Sequence, residues 1–65
     1  MFDYEKLKAI CDSRGITMYR LGKETGIATS TLTNWGNGLY TPKYDKVSKI
    51  AKYLNIGIDE ILKEE

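Results

Sequence analysis

Apolar positions recur at helical spacing along most of the chain, which predicts helices rather than strands. The first stripe places Leu7, Ile10 and Cys11 on one face of a helix. Asp3 is positioned to cap the start of this helix, and Gly15 follows its apolar run as a stop signal. We expect Cys11 to be a buried thiol, because it belongs to the inward face.

The next two predicted helices are short and lie close together in sequence. Thr17 caps a helix from Met18 to about Thr25, and the following helix runs from Thr29 to about Gly36. Gly26 permits the sharp left-handed turn between them, and Gly22 lies where a side chain would hold the two helices apart. Their shared inner surface is predicted to consist of Leu21, Ile27, Leu32 and Trp35. This arrangement is typical of a helix-turn-helix unit.

Two further helices are predicted after the Asn37-Gly38 break. Thr41 is expected to cap the fourth helix, with Pro42 at its first position. Gly57 begins a short fifth helix, and Glu60 supplies half of a capping box. The predicted inward stripe of the fourth helix is Tyr44, Val47, Ile50, Ala51 and Leu54. The fold predicted from this pattern is all-α: a compact five-helix bundle with the helix-turn-helix at helices 2 and 3.

Composition narrows the classes of function. Sixty-five residues are room for one small domain, predicted over residues 1–65. The longest apolar run is three residues, too short for a transmembrane helix or a signal peptide core, so we expect no membrane partner and a cytoplasmic location. With one cysteine and no histidine, histidine acid–base chemistry and most zinc sites are excluded. We therefore predict no catalytic residues, no metal, no cofactor and no enzymatic activity.

The net charge of +1 conceals an uneven distribution of charge. Residues 1–13 sum to −1, residues 14–52 to +5 and residues 53–65 to −3. A basic middle segment between acidic ends suits a polyanion that approaches one face. The alternative is that these lysines only solvate a helix surface, and charge alone leaves both interpretations open.

Several motifs together resemble the lambda-repressor-like (Cro/CI, or XRE-type) helix-turn-helix family. They are the unit from Leu21-Gly22 to Trp35, the exit Trp35–Gly38, the entry Thr41-Pro42 and the closing Leu54–Leu62. The likeness is greatest to the DNA-binding domains of phage and prophage repressors. It implies a bundle that binds double-stranded operator DNA as a homodimer on palindromic half-sites, with helix 3 in the major groove.

The same resemblance implies which residues contact DNA. Thr29, Ser30 and Asn34 match positions that read base edges, and Thr33 lies on the same predicted exposed face. Polar residues at a helix start are also common without any such role. Phosphate contacts are expected around helix 3. Asn37 and Lys43 match family positions that hold the DNA backbone, and the N-termini of helices 2 and 4 offer free N–H groups. Further basic and aromatic residues are expected at the edges of the outer face of helix 3. The full predicted phosphate set is Thr17, Met18, Arg20, Lys23, Asn37, Tyr40, Lys43 and Tyr44.

The leading hypothesis is a sequence-specific transcriptional repressor that acts by occupying its operator. An antitoxin-type protein-interaction module is the alternative, and it would need apolar anchors on the outer face of helix 3. A small nuclease is disfavoured because the chain lacks histidine and a spaced carboxylate cluster. Glu64 and Glu65 directly follow the last predicted helix, so we expect this chain to be monomeric or weakly dimeric. A longer parent repressor would carry a dimerisation domain beyond them.

Overall fold

The computed structural model describes residues 1–63, which form four α-helices and a 3₁₀ turn. The helices are α1 (Tyr4–Ser13), α2 (Met18–Thr25), α3 (Thr29–Gly36) and α4 (Tyr44–Leu54), and the 3₁₀ turn is Ile58–Ile61. The described part contains no β-strand, although Phe2 and Leu62 form an isolated antiparallel bridge. No helix in residues 1–63 is long and apolar enough to cross a membrane. The expectation that rested on Glu64 and Glu65 lies outside the described residues.

The predicted fifth helix is wrong: residues 58–61 form only a single 3₁₀ turn. The Glu60 carboxylate does accept the Gly57 N–H at 3.0 Å, as the half capping box predicted. Leu62, however, is extended and bridges to Phe2, and the Asp3 N–H donates to the Ile61 carbonyl at 2.9 Å. The backbone that a longer helix would have used therefore pairs with the N-terminal segment instead.

The start of α4 also differs from the prediction. Lys43, not Thr41, is the N-cap residue, and Pro42 lies in the connection before the helix. Val47, Ile50, Ala51 and Leu54 are buried as predicted. Tyr44 is not, because it is the first residue of the helix and projects beyond the core, with its side chain 75% exposed.

The first helix agrees with its prediction. The Asp3 carboxylate accepts the backbone N–H groups of Glu5 and Lys6, which are among the donors left without partners at a helix start. Leu7 and Cys11 are fully buried. Burial, reinforced by the nearby Asp12 carboxylate, raises the pKa of the Cys11 thiol, so this side chain is a neutral core residue.

One hydrophobic core joins the helices and supports α3 from within. Leu32 and Trp35 of α3 are buried in it. The Phe2 ring meets the Trp35 indole edge-on, with centroids 5.6 Å apart, a favourable aromatic arrangement. The other members of this core are Leu7, Cys11, Leu21, Ile27, Val47, Ile50, Ala51, Leu54 and Ile61. The inner side of α3 is thus held between the other helices and the N-terminal segment.

Candidate nucleic-acid interface

The turn between α2 and α3 brings the two helices into close contact, as predicted. Gly26 adopts a left-handed conformation with φ 78°, which a glycine enters without a Cβ clash. A Cβ on Gly22 would lie 2.6 Å from the Ile27 carbonyl oxygen, so only glycine fits this approach. Thr25 is buried, and its hydroxyl donates to the Leu21 carbonyl at 2.7 Å. Its polar group is therefore satisfied inside the unit.

The outer face of α3 carries the residues that were predicted to read bases. Thr29, Ser30 and Thr33 are exposed, and Asn34 is half-buried. The Thr33 hydroxyl donates to the Thr29 carbonyl at 3.1 Å, which leaves its oxygen lone pairs and its methyl group available to a partner. This face presents hydroxyl, methyl and amide groups to solvent, while the opposite side of α3 is core.

The first turn of α3 has open backbone donors. Ala28 is the N-cap residue and makes no side-chain capping hydrogen bond. The N–H groups of Thr31 and Leu32 donate to the Ala28 carbonyl, whereas those of Thr29 and Ser30 have no partner within residues 1–63. Such donors at a helix start favour an anion nearby.

The exposed residues of α2 divide between two flanks of the helix. Tyr19 and Lys23 are one turn apart and line a groove of about 390 Å³ together with Gly26 and Thr29. We call this the turn groove. Arg20 is exposed but does not line it, because each step along a helix rotates the side chain by about 100°. Lys23 is therefore beside α3, and Arg20 is on a different flank.

The start of α2 offers few side-chain groups for an external hydrogen bond. The Thr17 hydroxyl accepts the Arg20 N–H at 3.1 Å, so it caps the helix as expected. Met18 is half-buried and packs against the core. Met18 has no hydrogen-bond donor and the Thr17 oxygen already accepts a bond, so a contact here would come from the Thr17 hydroxyl proton or the backbone.

At the other end of α3 the chain leaves the helix through a left-handed glycine. Asn37 is the exposed C-cap residue, Gly38 has φ 76°, and the Leu39 N–H donates back to the Asn34 carbonyl at 3.0 Å. Lys43 and Tyr44 follow on the surface at the start of α4. Three of the predicted phosphate residues, Asn37, Lys43 and Tyr44, thus follow α3 in the chain and are exposed.

Tyr40 borders a second groove, of about 240 Å³, between the N-terminal segment and the connection from α3 to α4. We call this the terminal groove. Phe2 and Trp35 contribute aromatic surface to its lining, and Asp3 and Glu5 contribute carboxylates. Tyr40 is therefore near acidic groups, unlike Lys23 at the turn groove.

The cations near α3 are available for an external partner. Arg20, Lys23 and Lys43 are exposed and form no ion pair with any residue in the described range. By contrast, Lys8 on α1 contacts Asp12 at 3.1 Å, and this hydrogen bond and charge raise the pKa of Lys8. Over residues 1–63 no three acidic, cysteine or histidine side chains group together as metal ligands.

Tyr19 was not among the predicted contacts, and it is 66% exposed at the turn groove. A signal for it existed, because Tyr19 and Lys23 are four residues apart and so share one side of a helix.

Comparison with known proteins identified one match. The family model described as Helix-turn-helix (HTH_3) matches residues 7–61, a range that includes all four helices except the start of α1. The comparisons with curated proteins and with solved structures found no match.

Proposed function

Because the chain belongs to the helix-turn-helix family HTH_3, and so is a DNA-binding transcription regulator of the XRE type, we propose that it is a phage or prophage repressor. It binds a double-stranded operator with α3 in the major groove. It works in the cytoplasm by occupying the operator, without catalysis and without a cofactor. A bound repressor blocks polymerase at an overlapping promoter.

The observation that carries this proposal is the outer face of α3. Thr29, Ser30 and Thr33 are exposed there, and the side behind them is buried core. Hydroxyl groups donate to or accept from base edges, and threonine methyl groups contact the thymine methyl. An antitoxin-type module would instead use apolar anchors on this face, and these side chains supply none.

In this proposal, Asn34 makes the most base-specific contact. Its carboxamide has a donor and an acceptor, which match the N7 and N6 groups of adenine in two simultaneous hydrogen bonds. The Asn34 carboxamide makes no hydrogen bond within residues 1–63. Its half-buried position limits the rotamers available, which favours a defined contact over a diffuse one.

Phosphate contacts flank the base-reading face in this proposal. Lys23 lies beside the start of α3, and Asn37 and Lys43 lie beyond its end. The first α3 N–H groups add uncharged donors. The remaining proposed backbone contacts are Thr17, Met18, Arg20, Tyr40 and Tyr44. A homodimer on two palindromic half-sites about 34–36 Å apart would double this set of contacts.

Selection of bound sequences from random duplex DNA tests the proposal. The wild-type chain is expected to enrich a palindrome with half-sites one helical turn apart. Asn34→Ala should cost about 1–3 kcal/mol on that operator and relax the preference at one base pair in each half-site. An unchanged consensus would show that Asn34 reads no base.

Lys43→Ala is the matched control for that experiment. Removal of a phosphate contact should weaken binding to every sequence and reduce the slope of log K against log salt by about one, with the consensus unchanged. Failure of the wild-type chain to enrich any sequence would overturn the repressor proposal itself.

A further inference from the structure

The five tyrosines of the chain are not distributed evenly over its surface. Tyr4 and Tyr53 are half-buried against the core. Tyr19, Tyr40 and Tyr44 have side chains 66%, 67% and 75% exposed. All three exposed rings lie in segments that border α3, one before it and two after it. The exposed tyrosines without a core role thus flank the proposed DNA-binding helix in the chain.

Tyr19 has the most favourable surroundings of the three for binding an anion. It shares the turn groove with Lys23, and Thr29 lies on the opposite wall. Gly22, Gly26 and Ala28 also line the groove, so another chain can approach the backbone closely at these positions. No carboxylate lines it, because Glu24 is on the other flank of α2.

The fold uses neither the Tyr19 hydroxyl nor the Lys23 ammonium group. The Tyr19 hydroxyl makes no hydrogen bond within residues 1–63, and Lys23 makes no ion pair there. A phenol combines an apolar ring with a hydroxyl donor, which suits contact with a sugar and its phosphate. An ammonium group one helical turn away supplies the countercharge.

We propose that the turn groove binds one backbone phosphate of the DNA, with the Tyr19 hydroxyl donating to a phosphate oxygen and the Lys23 ammonium neutralising its charge. This rests on the proposed function and adds Tyr19 to the contacts. A phosphate is favoured over a base edge because the first helix of a helix-turn-helix crosses the DNA backbone, while the second helix enters the groove.

Tyr19→Phe tests the hydroxyl directly while it keeps the exposed ring. The variant should bind the selected operator about tenfold more weakly, because it loses a hydrogen bond to a charged group. Its consensus should be unchanged, and so should its salt slope, because no charge is removed. Lys23→Ala should instead reduce the slope by about one. Tyr53→Phe, on the half-buried tyrosine of α4, is the matched control and should bind like the wild type.

A scan of the operator backbone locates the phosphate. Each phosphate beside the start of α3 is replaced in turn by an uncharged methylphosphonate, and the affinity of both proteins is measured. At one position the wild type should lose more affinity than Tyr19→Phe, because removal of that charge costs both proteins the Lys23 contact but costs only the wild type the Tyr19 hydrogen bond. A larger loss by the wild type at a single position would identify the phosphate partner of Tyr19.

The possible failures are distinguishable. Enrichment of an operator by the wild type, together with Tyr19→Phe binding within twofold of it, would overturn the phosphate assignment and leave the repressor proposal standing. The same holds if both proteins lose affinity equally at every methylphosphonate. A wild type that binds no DNA at all would overturn both proposals. Circular dichroism should show the variant folded, because the replaced hydroxyl is not bonded to the fold.

Discussion

The turn groove and the terminal groove border opposite ends of α3, yet they differ in both chemistry and construction. The turn groove contains Lys23 and no carboxylate. The terminal groove contains Asp3 and Glu5, with Lys63 as its side-chain cation. Each groove has an exposed tyrosine, Tyr19 or Tyr40, but the charged groups beside the two tyrosines differ. A polyanion is therefore favoured at the start of α3 more than beside Phe2 and Tyr40.

The two ends of α3 are also held by different kinds of contact. At the turn, Gly22 packs against the backbone carbonyl of Ile27, which cannot move without moving the turn. At the other end, Gly36 packs against the ring of Tyr4, which can rotate away. The start of α3 is thus positioned by rigid backbone and its end by side chains. This difference predicts unequal tolerance to substitution.

The largest expected effect is on the terminal side. Phe2→Ala should lower the free energy of unfolding by about 3 kcal/mol, since it removes a buried ring that packs against Trp35. Urea unfolding measures this loss, with the exposed Met1→Ala as the control. The folded variant should keep the wild-type DNA consensus, because the base-reading side chains are elsewhere. A loss below about 1 kcal/mol would show that the N-terminal segment contributes little to holding α3.

A pair of glycine substitutions compares the two ends of α3 directly. Gly22→Ala should destabilise the protein by about 1–2 kcal/mol, because overpacking against the Ile27 carbonyl outweighs the gain in helix propensity. Gly36→Ala should change stability by less than about 0.5 kcal/mol, since the Tyr4 ring can shift and alanine favours the helix. Thermal or urea unfolding of both variants checks the contrast. Equal losses of stability in the two variants would show that the Ile27 carbonyl and the Tyr4 ring do not differ in rigidity.

The smallest expected effect concerns the charge of the terminal groove. Glu5→Gln removes an exposed carboxylate from its lining and should strengthen DNA binding by about twofold at low salt. The gain should vanish at high salt, because a charge outside the direct contacts is screened. Titrations at two salt concentrations provide the measurement. Weaker binding by the variant would mean that Glu5 supports the interface.

Much of the helix-turn-helix could be predicted because its signals are local. The bounds of α2 and α3 agree with the prediction, since Thr17 caps α2 through its own hydroxyl and Gly26 ends it with its own backbone. The error at the last turn lies where distant segments meet. The last turn stops at Ile61 because Leu62 pairs with Phe2, some sixty positions away in sequence, and no local pattern reports that pairing.

The candidate site shows the same division. The exposure of Thr29, Ser30 and Thr33 follows from the helical spacing of Leu32 and Trp35. Which of the predicted phosphate residues lie in the same groove depends on the tertiary structure. Lys23 joins the turn groove, while Tyr40 joins the acidic terminal groove. Spacing assigns a residue to a face of its own helix, and it does not say which neighbour lies across from that face.

By itself, the order of residues determined that this protein is helical, where its second and third helices begin and end, and which side of the third helix is polar. Those properties depend on neighbours within about one helical turn, where capping, glycine geometry and apolar spacing operate. Packing alone decided that Phe2 pairs with Leu62 and that Tyr19 and Lys23 line a groove together with Thr29 of α3. These depend on contacts that exist only once the helices have come together, because burial and charge at each point are set by residues from several segments at once.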